Sequence, residues 1–489
     1  MELGHIAGPE GLALFESIGR TPLEQCLAAG VDVAKASWRL LVSDFTGRVV
    51  LGGTTAKADE AGYLKLRRLL DETSLNVGAE FLRVGVESAG HYHETLVGRL
   101  TDDGYDVVCH NPSTVKKARG EAGKSRLKTD DFDAAAICSL TIRGHGRAPF
   151  LPTDAMGDLQ VAYLGREALV QHRSALRNQI HSLLDLIWPG ATAKDTDLEV
   201  KPILSDILRE TGMALLRLGP DPRRIASYSP SELRRKLRAR GANPTKAKCR
   251  ELVERSRTAL SPCGPIRARL NLLARYLDVY QALCAEIESL EAGEAEALER
   301  TKGANLTSVV GLNVVSASAY VAFVGDPARF GNNPSKVWRA AGADPARSQS
   351  GPSDPNLPIS REGSSWGRAA MMKTTSALVA SNPVFRSYLE DRRAHGKPSK
   401  VARMAAGNKM NRMLFRLMQT GESYDLEVHR KDVERASEPK NRVARSTERP
   451  DLRAGRGKGT SSSTTKKTAG ASNKNELGST KSPDRLVRA

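Results

Sequence analysis

Residues 30–51 read GVDVAKASWRLLVSDFTGRVVL, and this stretch decides the fold. Val31 and Val33, then Leu40, Leu41 and Val42, then Val49, Val50 and Leu51 form apolar runs around a turn signal at Asp44 to Gly47, which predicts two or three antiparallel strands between Gly30 and Ala56. Downstream, a helical stretch at Tyr63 to Leu70, an apolar strand at Phe81 to Val86, a helix at Glu94 to Leu100 and a strand at Val107 to Cys109 continue the run. A hairpin followed by alternating strands and helices predicts a three-layer α/β domain.

The whole chain has 489 residues, enough for two or three packed units. Lys and Arg number 74 against 56 Asp and Glu, a formal charge of +18 with only 5% aromatic residues, so the expected partner is a polyanion, nucleic acid by default. No stretch approaches the roughly 18 uninterrupted apolar residues of a membrane span. Met1 to Arg20 lacks the basic-then-apolar order of a secretory signal, and a cytoplasmic protein without membrane partners is expected. Six scattered cysteines, with no C-x-x-C pair, predict neither disulfides nor structural zinc.

Leu169, Leu176 and Leu183, with Ile180 and Ile187, set a heptad seam that Pro189-Gly190 ends. Ile266, Leu270, Leu273, Leu277, Tyr280, Cys284 and Ile287 set a second, so two long helices should pack on one another or on a second subunit. Between them Arg234, Arg235, Lys236, Arg238, Arg240, Lys246, Lys248 and Arg250 make a basic segment with Ser229 as its helix start, either a solvated face or a nucleic-acid contact. Arg166, Arg173 and Arg177 share one face of the first long helix, flanking its seam, and favour phosphate binding. The expected organisation is an N-terminal extension (1–27), the α/β domain (28–150), long helices (151–300) with a basic insert (191–262), a mainly α unit (301–425) and a basic disordered tail (426–489). Residues 431–489 carry 15 Lys/Arg against 7 Asp/Glu and no aromatic residue.

Four acids stand out. Asp32 lies in the first strand, Glu87 ends the apolar strand at Phe81 to Val86, and Asp130 and Asp133 share a face at the opening of a helix. Open α/β sheets bind ligands where strands meet loops. Converging carboxylates repel unless a cation holds them, and two Mg²⁺ ions about 4 Å apart would suit phosphodiester displacement. Taken singly, Asp130 and Asp133 also read as helix caps, Glu87 as a surface acid and Asp32 as a hairpin residue.

Gly-Val-Asp-Val-Ala-Lys from Gly30, Val-Glu-Ser-Ala-Gly-His-Tyr from Val86, Val-Val-Cys-His-Asn-Pro from Val107 and Lys-Thr-Asp-x-x-Asp-Ala from Lys128 resemble the successive blocks of insertion-sequence transposases of the DEDD type, relatives of the Piv-type DNA invertases. The resemblance implies a RuvC/RNase H-like fold for residues 28–150, with Asp32, Glu87, Asp130 and Asp133 binding Mg²⁺ or Mn²⁺. Ser308 to Leu312, Ala319, Gly325-Asp326 and Phe330 resemble the same family's C-terminal serine transposase domain. Gly311 there fits a helix-hairpin-helix-like element, or equally a helix cap.

By the same resemblance a serine in a Ser-Gly segment is the nucleophile, and Ser350, before Gly351, is the candidate, with Ser348, Ser353 and Ser360 close by. Arg361 and Arg368 could stabilise its phosphorane. The implied activity is a DNA transposase or recombinase that cuts and rejoins donor and target DNA, guided by a structured noncoding RNA (a bridge RNA), as a homodimer or homotetramer whose two halves meet across subunits. The basic faces at Arg166, Arg173, Arg177, Arg234, Arg235 and Lys236 would suit that RNA. The rivals are a RuvC-like structure-specific nuclease using metal-activated water, an actin-like sugar kinase, for which no second phosphate loop is found, and a non-enzymatic nucleic-acid-binding protein.

Overall fold

The computed structural model describes residues 8–88, 90–121, 130–152, 154–194, 197, 201–345 and 359–437. Its N-terminal part begins with helix α1 (Gly8–Ile18) and strands β1 (Cys26–Val33), β2 (Ser37–Asp44) and β3 (Val49–Lys57). There follow α2 (Glu60–Val77), β4 (Phe81–Glu87), α3 (Glu94–Asp102), β5 (Asp106–His110), α4 (Pro112–Glu121) and α5 (Asp130–Ile142). The strands form one mixed sheet in the order β3-β2-β1-β4-β5, antiparallel on the hairpin side and parallel from β1 through β4 to β5. This arrangement is compatible with a RuvC-like fold. The hairpin, helix and strand order expected from residues 30–110 is the one observed.

Strand alternation explains the layers, because successive side chains leave opposite faces. Leu27, Ala29, Val31 and Val33 of β1, Leu40 and Val42 of β2 and Val84 and Val86 of β4 bury one face against Tyr63, Leu66 and Leu70 of α2 and Leu96, Val97 and Leu100 of α3. The opposite face carries α5, whose Ala134 and Cys138 cluster with Leu41, while Ile137 and Leu140 pack on Val115 and Ala118 of α4. Leu14 and Ile18 of α1 close the same side with Cys26, Ala28 and Phe45.

The two long helices, α6 (Asp154–Ile187) and α11 (Ile266–Glu299), pack on one another within the chain. They run antiparallel: Asp158 pairs with Arg300, Arg166 with Glu291, and the Leu186 carbonyl accepts from Arg269. Each helix has its two ends in different cores. Leu176, Ile180, Leu183, Leu184 and Ile187 of α6 and Leu273 and Leu277 of α11 form a core with the connecting helices α7 (Glu210–Leu218), α8 (Pro222–Ala226), α9 (Pro230–Arg238) and α10 (Lys246–Arg257). Ser229 caps α9 as its sequence predicts, accepting from the Glu232 amide at 3.2 Å. At the other end Leu159, Tyr163, Ala297 and Leu298 join a core built by α12 (Val314–Val324), α13 (Pro334–Ala340), α14 (Ser365–Ser381), α15 (Pro383–Ala394) and α16 (Ser399–Thr420), with Tyr320, Phe385 and Phe415 fully buried.

Two expectations change here. Gly311, read between two helical stretches, is preceded by a short 3-10 turn (Ala304–Ser308). Its positive φ of 99° and its close approach to Ser381 and the Ala377 carbonyl of α14 give it a packing reason of its own. The tail expected from 426 begins as helix α17 (Leu426–Ser437), because the Asp425 carboxylate accepts from the Glu427 and Val428 amides and Glu427 pairs with Arg430. Met1–Lys431 form one unit and Asp432–Ala489 another. The disorder expected of the tail past 437 lies outside the described residues. None of the described helices is long and apolar enough to cross a membrane.

Candidate active site

Two glycines position the acids. Gly30 of β1 and Gly85 of β4 are register partners on neighbouring parallel strands. A Cβ on Gly30 would stand 2.2 Å from the Ala134 carbonyl oxygen, and one on Gly85 would stand 2.1 Å from Thr141 Oγ1. Both contacts are far inside van der Waals distance, so only this pair of bare backbones lets α5 lie directly on the sheet. Cys138 fixes the helix there, its thiol donating to the Ala28 and Leu41 carbonyls at 3.2 Å.

Asp32 and Glu87 share the face that α5 covers, two residues beyond Gly30 and Gly85 respectively. The pairing of Val31 with Val86, continued by one step, sets Asp32 beside Glu87. On its other side Asp32 is the register partner of Arg39. Because Ala134 lies over Gly30 and Cys138 reaches back to Ala28, α5 runs opposite to β1, and its first turn is carried toward the strand ends that bear Asp32 and Glu87.

That first turn holds three aspartates. Asp131, passed over in the sequence, bonds to Arg39 at 2.7 Å, while Arg39 also donates to Thr55. Asp133 is 5% exposed and forms an ion pair with the largely buried Arg119 of α4. Asp130 opens α5, and its side chain lies outside the described residues. Sequence reasoning missed Arg39 and Arg119; neither sits in a motif, and only the seating of α4 and α5 brings them to the acids.

As donors, the Asp32 and Glu87 carboxylates suit a hard divalent cation, and neighbouring parallel strand ends are a suitable place for one. Asp133 suits it only if Arg119 releases the carboxylate, since the guanidinium already supplies the positive charge. Among the described residues no three His, Cys, Asp or Glu side chains are gathered as a metal site.

Ser348, Ser350 and Ser353 lie outside the described residues, but both ends of their segment are fixed. Pro345 pairs with Ile359, the Ser360 amide donates to the Asp344 carbonyl at 2.8 Å, and Ser360 Oγ donates to the Asp344 carboxylate at 2.7 Å. Asp344, Pro345, Ser360 and Glu362 line a cavity of 600 Å³ together with Arg147, whose backbone pairs with Cys109 of β5. Lys117 of α4 pairs with Glu362 at 3.1 Å, so one helix contacts both Asp133, through Arg119, and Glu362. Of the expected phosphorane-stabilising pair, Arg368 donates to the Ala341 carbonyl at 2.9 Å, and Arg361 is exposed in a left-handed backbone conformation with φ 55°.

The expected phosphate-binding face of α6 needs correction. Arg166 is mostly buried and pairs with Glu291 and Glu167 at 2.6 Å, so it points across to α11. Burial opposes its charge and the two carboxylates favour it, leaving its pKa raised. Arg173 is half-buried, and Arg177 is exposed and 3.6 Å from Asp206. In the insert Lys236 also has a local partner, Glu232 at 3.6 Å, and stacks on Tyr228.

Residues 29–189 match a family model described as DEDD_Tnp_IS110, a transposase. Residues 303–390 match a second, described as the transposase IS116/IS110/IS902 family. No curated protein matches the chain. A mixed sheet with acids at its strand ends, followed by a helical unit, and two transposase matches in chain order support a DNA transposase. The particular kind that both matches support is an IS110-type transposase.

Proposed function

We propose that the protein cuts and rejoins donor and target DNA strands for insertion-sequence mobility, with Asp32, Glu87, Asp130 and Asp133 holding Mg²⁺ or Mn²⁺ and Ser350 as nucleophile. The observation that carries the reading is the seating of α5 on Gly30 and Gly85, which brings the first turn of the helix toward Asp32 and Glu87. Bound there, divalent ions would supply charge neutralisation for an attacking and a leaving oxygen. The Ser350 hydroxyl oxygen bonds to phosphorus as one phosphodiester P–O bond breaks, and the leaving strand oxygen takes up a proton. The phosphoserine link keeps the bond energy, and attack by another strand end returns the serine free. Lys117 of α4 pairs with Glu362, three residues past Ile359, which is where α4 reaches this part of the chain.

In this reading a structured noncoding guide RNA selects the DNA, the active form is a homodimer or homotetramer, and the chemistry takes place in the cytoplasm. The test is strand exchange by purified protein with its element-flanking RNA, circularised donor and target DNA in Mg²⁺, trapping covalent protein–DNA adducts. Wild type should form an adduct that Ser350→Ala and Asp130→Ala both abolish. Full cleavage by Ser350→Ala without an adduct would instead identify a nuclease that uses water.

A further inference from the structure

Helices α9 and α10 form a cavity of 520 Å³ lined by Arg234, Arg235, Arg238, Lys246 and Arg250, together with Pro230 and Ser231 at the start of α9. Among the described residues no carboxylate pairs with any of the five cations. Arg234 donates to the Pro244 carbonyl at 3.0 Å and Arg238 to Asn243 Oδ1 at 2.9 Å, both neutral acceptors that leave the charge in place. Two of the nearby acids are engaged outside the cavity, Glu232 with Lys236 and Glu251 with Lys248 and Arg255, and Glu254, four residues after Arg250 on α10, does not line it. Arg234 and Arg238, and likewise Lys246 and Arg250, sit four residues apart on their helices, where like charges repel.

The cavity is also held rigidly. Leu233 and Leu237 of α9 and Cys249 and Leu252 of α10 are fully buried in the core shared with α6 and α11. A preorganised concave surface bearing five uncompensated cations, spread over two helices, suits a continuous polyanion better than a single small anion. Guanidinium groups in particular match phosphate oxygens in a planar, two-point fashion.

We propose that this cavity is a binding site for the phosphodiester backbone of nucleic acid, with Arg235, Lys246 and Arg250 as its free contacts and Arg234 and Arg238 as cations anchored by the chain itself. The proposal rests on the transposase reading only for its biological setting. Within the basic segment it selects Arg234, Arg235, Arg238, Lys246 and Arg250 and leaves out Lys236, Arg240 and Lys248. Duplex DNA and structured RNA share this chemistry, and the experiment separates them.

Binding of the full chain to a labelled DNA duplex and to a labelled RNA stem–loop, each of arbitrary sequence, would be followed by fluorescence anisotropy over a salt series. For an Arg235→Ala, Lys246→Ala, Arg250→Ala triple variant, affinity for at least one probe should fall about tenfold, with the slope of log affinity against log salt smaller by about 2 to 3. Loss on the RNA alone assigns the site to RNA, and loss on the DNA alone or on both assigns it to DNA or to both. Unchanged affinity and slope on both probes would overturn the proposal. If the triple variant loses its helical circular dichroism, the single Arg235→Ala and Arg250→Ala variants serve, each lowering the slope by about one, with Arg235→Lys retaining it. Strand exchange by the wild type is read alongside: no adduct counts against the transposase reading, whereas an adduct with unaltered binding by the triple variant counts against the cavity alone.

Discussion

The chain treats its charges in two different ways. At the first turn of α5 acid meets arginine, Asp131 with Arg39 at the surface and Asp133 with Arg119 inside the fold. Along α9 and α10, five cations face one cavity while Glu232 and Glu251 pair with other cations. The first arrangement neutralises itself and must be opened before a cation can take the carboxylates; the second stands open to an anion. In the reading proposed above, Arg119 would compete with a metal ion for Asp133, whereas the cations of α9 and α10 have, among the described residues, no carboxylate to compete with a phosphate.

The comparison can be broken at several points. The largest effect is expected from Asp32→Asn or Ser350→Ala, which should lower strand exchange at least about 10³-fold, some 4 kcal/mol of barrier, with folding checked by circular dichroism. Retained activity in Asp32→Asn would detach the acids from the chemistry. Next, Arg119→Ala strands the buried Asp133 carboxylate and should destabilise the protein by about 3 kcal/mol in urea unfolding. If Arg119 competes with a cation, Mg²⁺ should restore more stability to this variant than to the wild type.

A third test concerns Glu294, whose carboxylate lies fully buried on α11 with no hydrogen-bond partner among the described residues. Burial pushes its pKa up to about 7, against the attraction of Arg166 and Lys373 and with the repulsion of Glu291 and Glu167. A folded-state pKa above the unfolded value means that stability is full below about pH 4.5 and is lost as pH rises toward 7. Glu294→Gln should match the wild type near pH 4.5 and exceed its stability at pH 8 by on the order of 2 kcal/mol, seen as a flatter pH profile of the denaturation midpoint. The smallest effect is expected from Lys236→Ala: with its charge shared with Glu232 and Tyr228, nucleic-acid affinity should change less than about twofold.

Much of this was legible in the sequence. The strand and helix order of residues 30–110 followed from apolar runs and turn residues, and the heptads gave two long helices packing on one another or on a second subunit, since burial imposes a period on the chain; the structure has them on one another. The placement of Glu87 at a strand end was legible for the same reason, whereas Asp32, read as lying in the first strand, proves to be its penultimate residue. Pairing was not. Arg166 was read as facing solvent because it flanks the α6 seam, but a position flanking a seam is also where a long side chain reaches across to the facing helix, as Arg166 does to Glu291. Arg119 gave no signal because its acid lies 14 residues away on another helix. The basic insert showed its charges four residues apart, yet their convergence depends on how α9 and α10 dock.

The antiparallel pair of α6 and α11 has a metric consequence. Each helix has 34 residues, about 50 Å of rigid rod at 1.5 Å per residue, with the basic cavity's core at one end and the core of the C-terminal helices at the other. At 3.4 Å per step that distance is about fifteen base pairs. A straight duplex reaching from one end of the pair to the other would have to be at least that long.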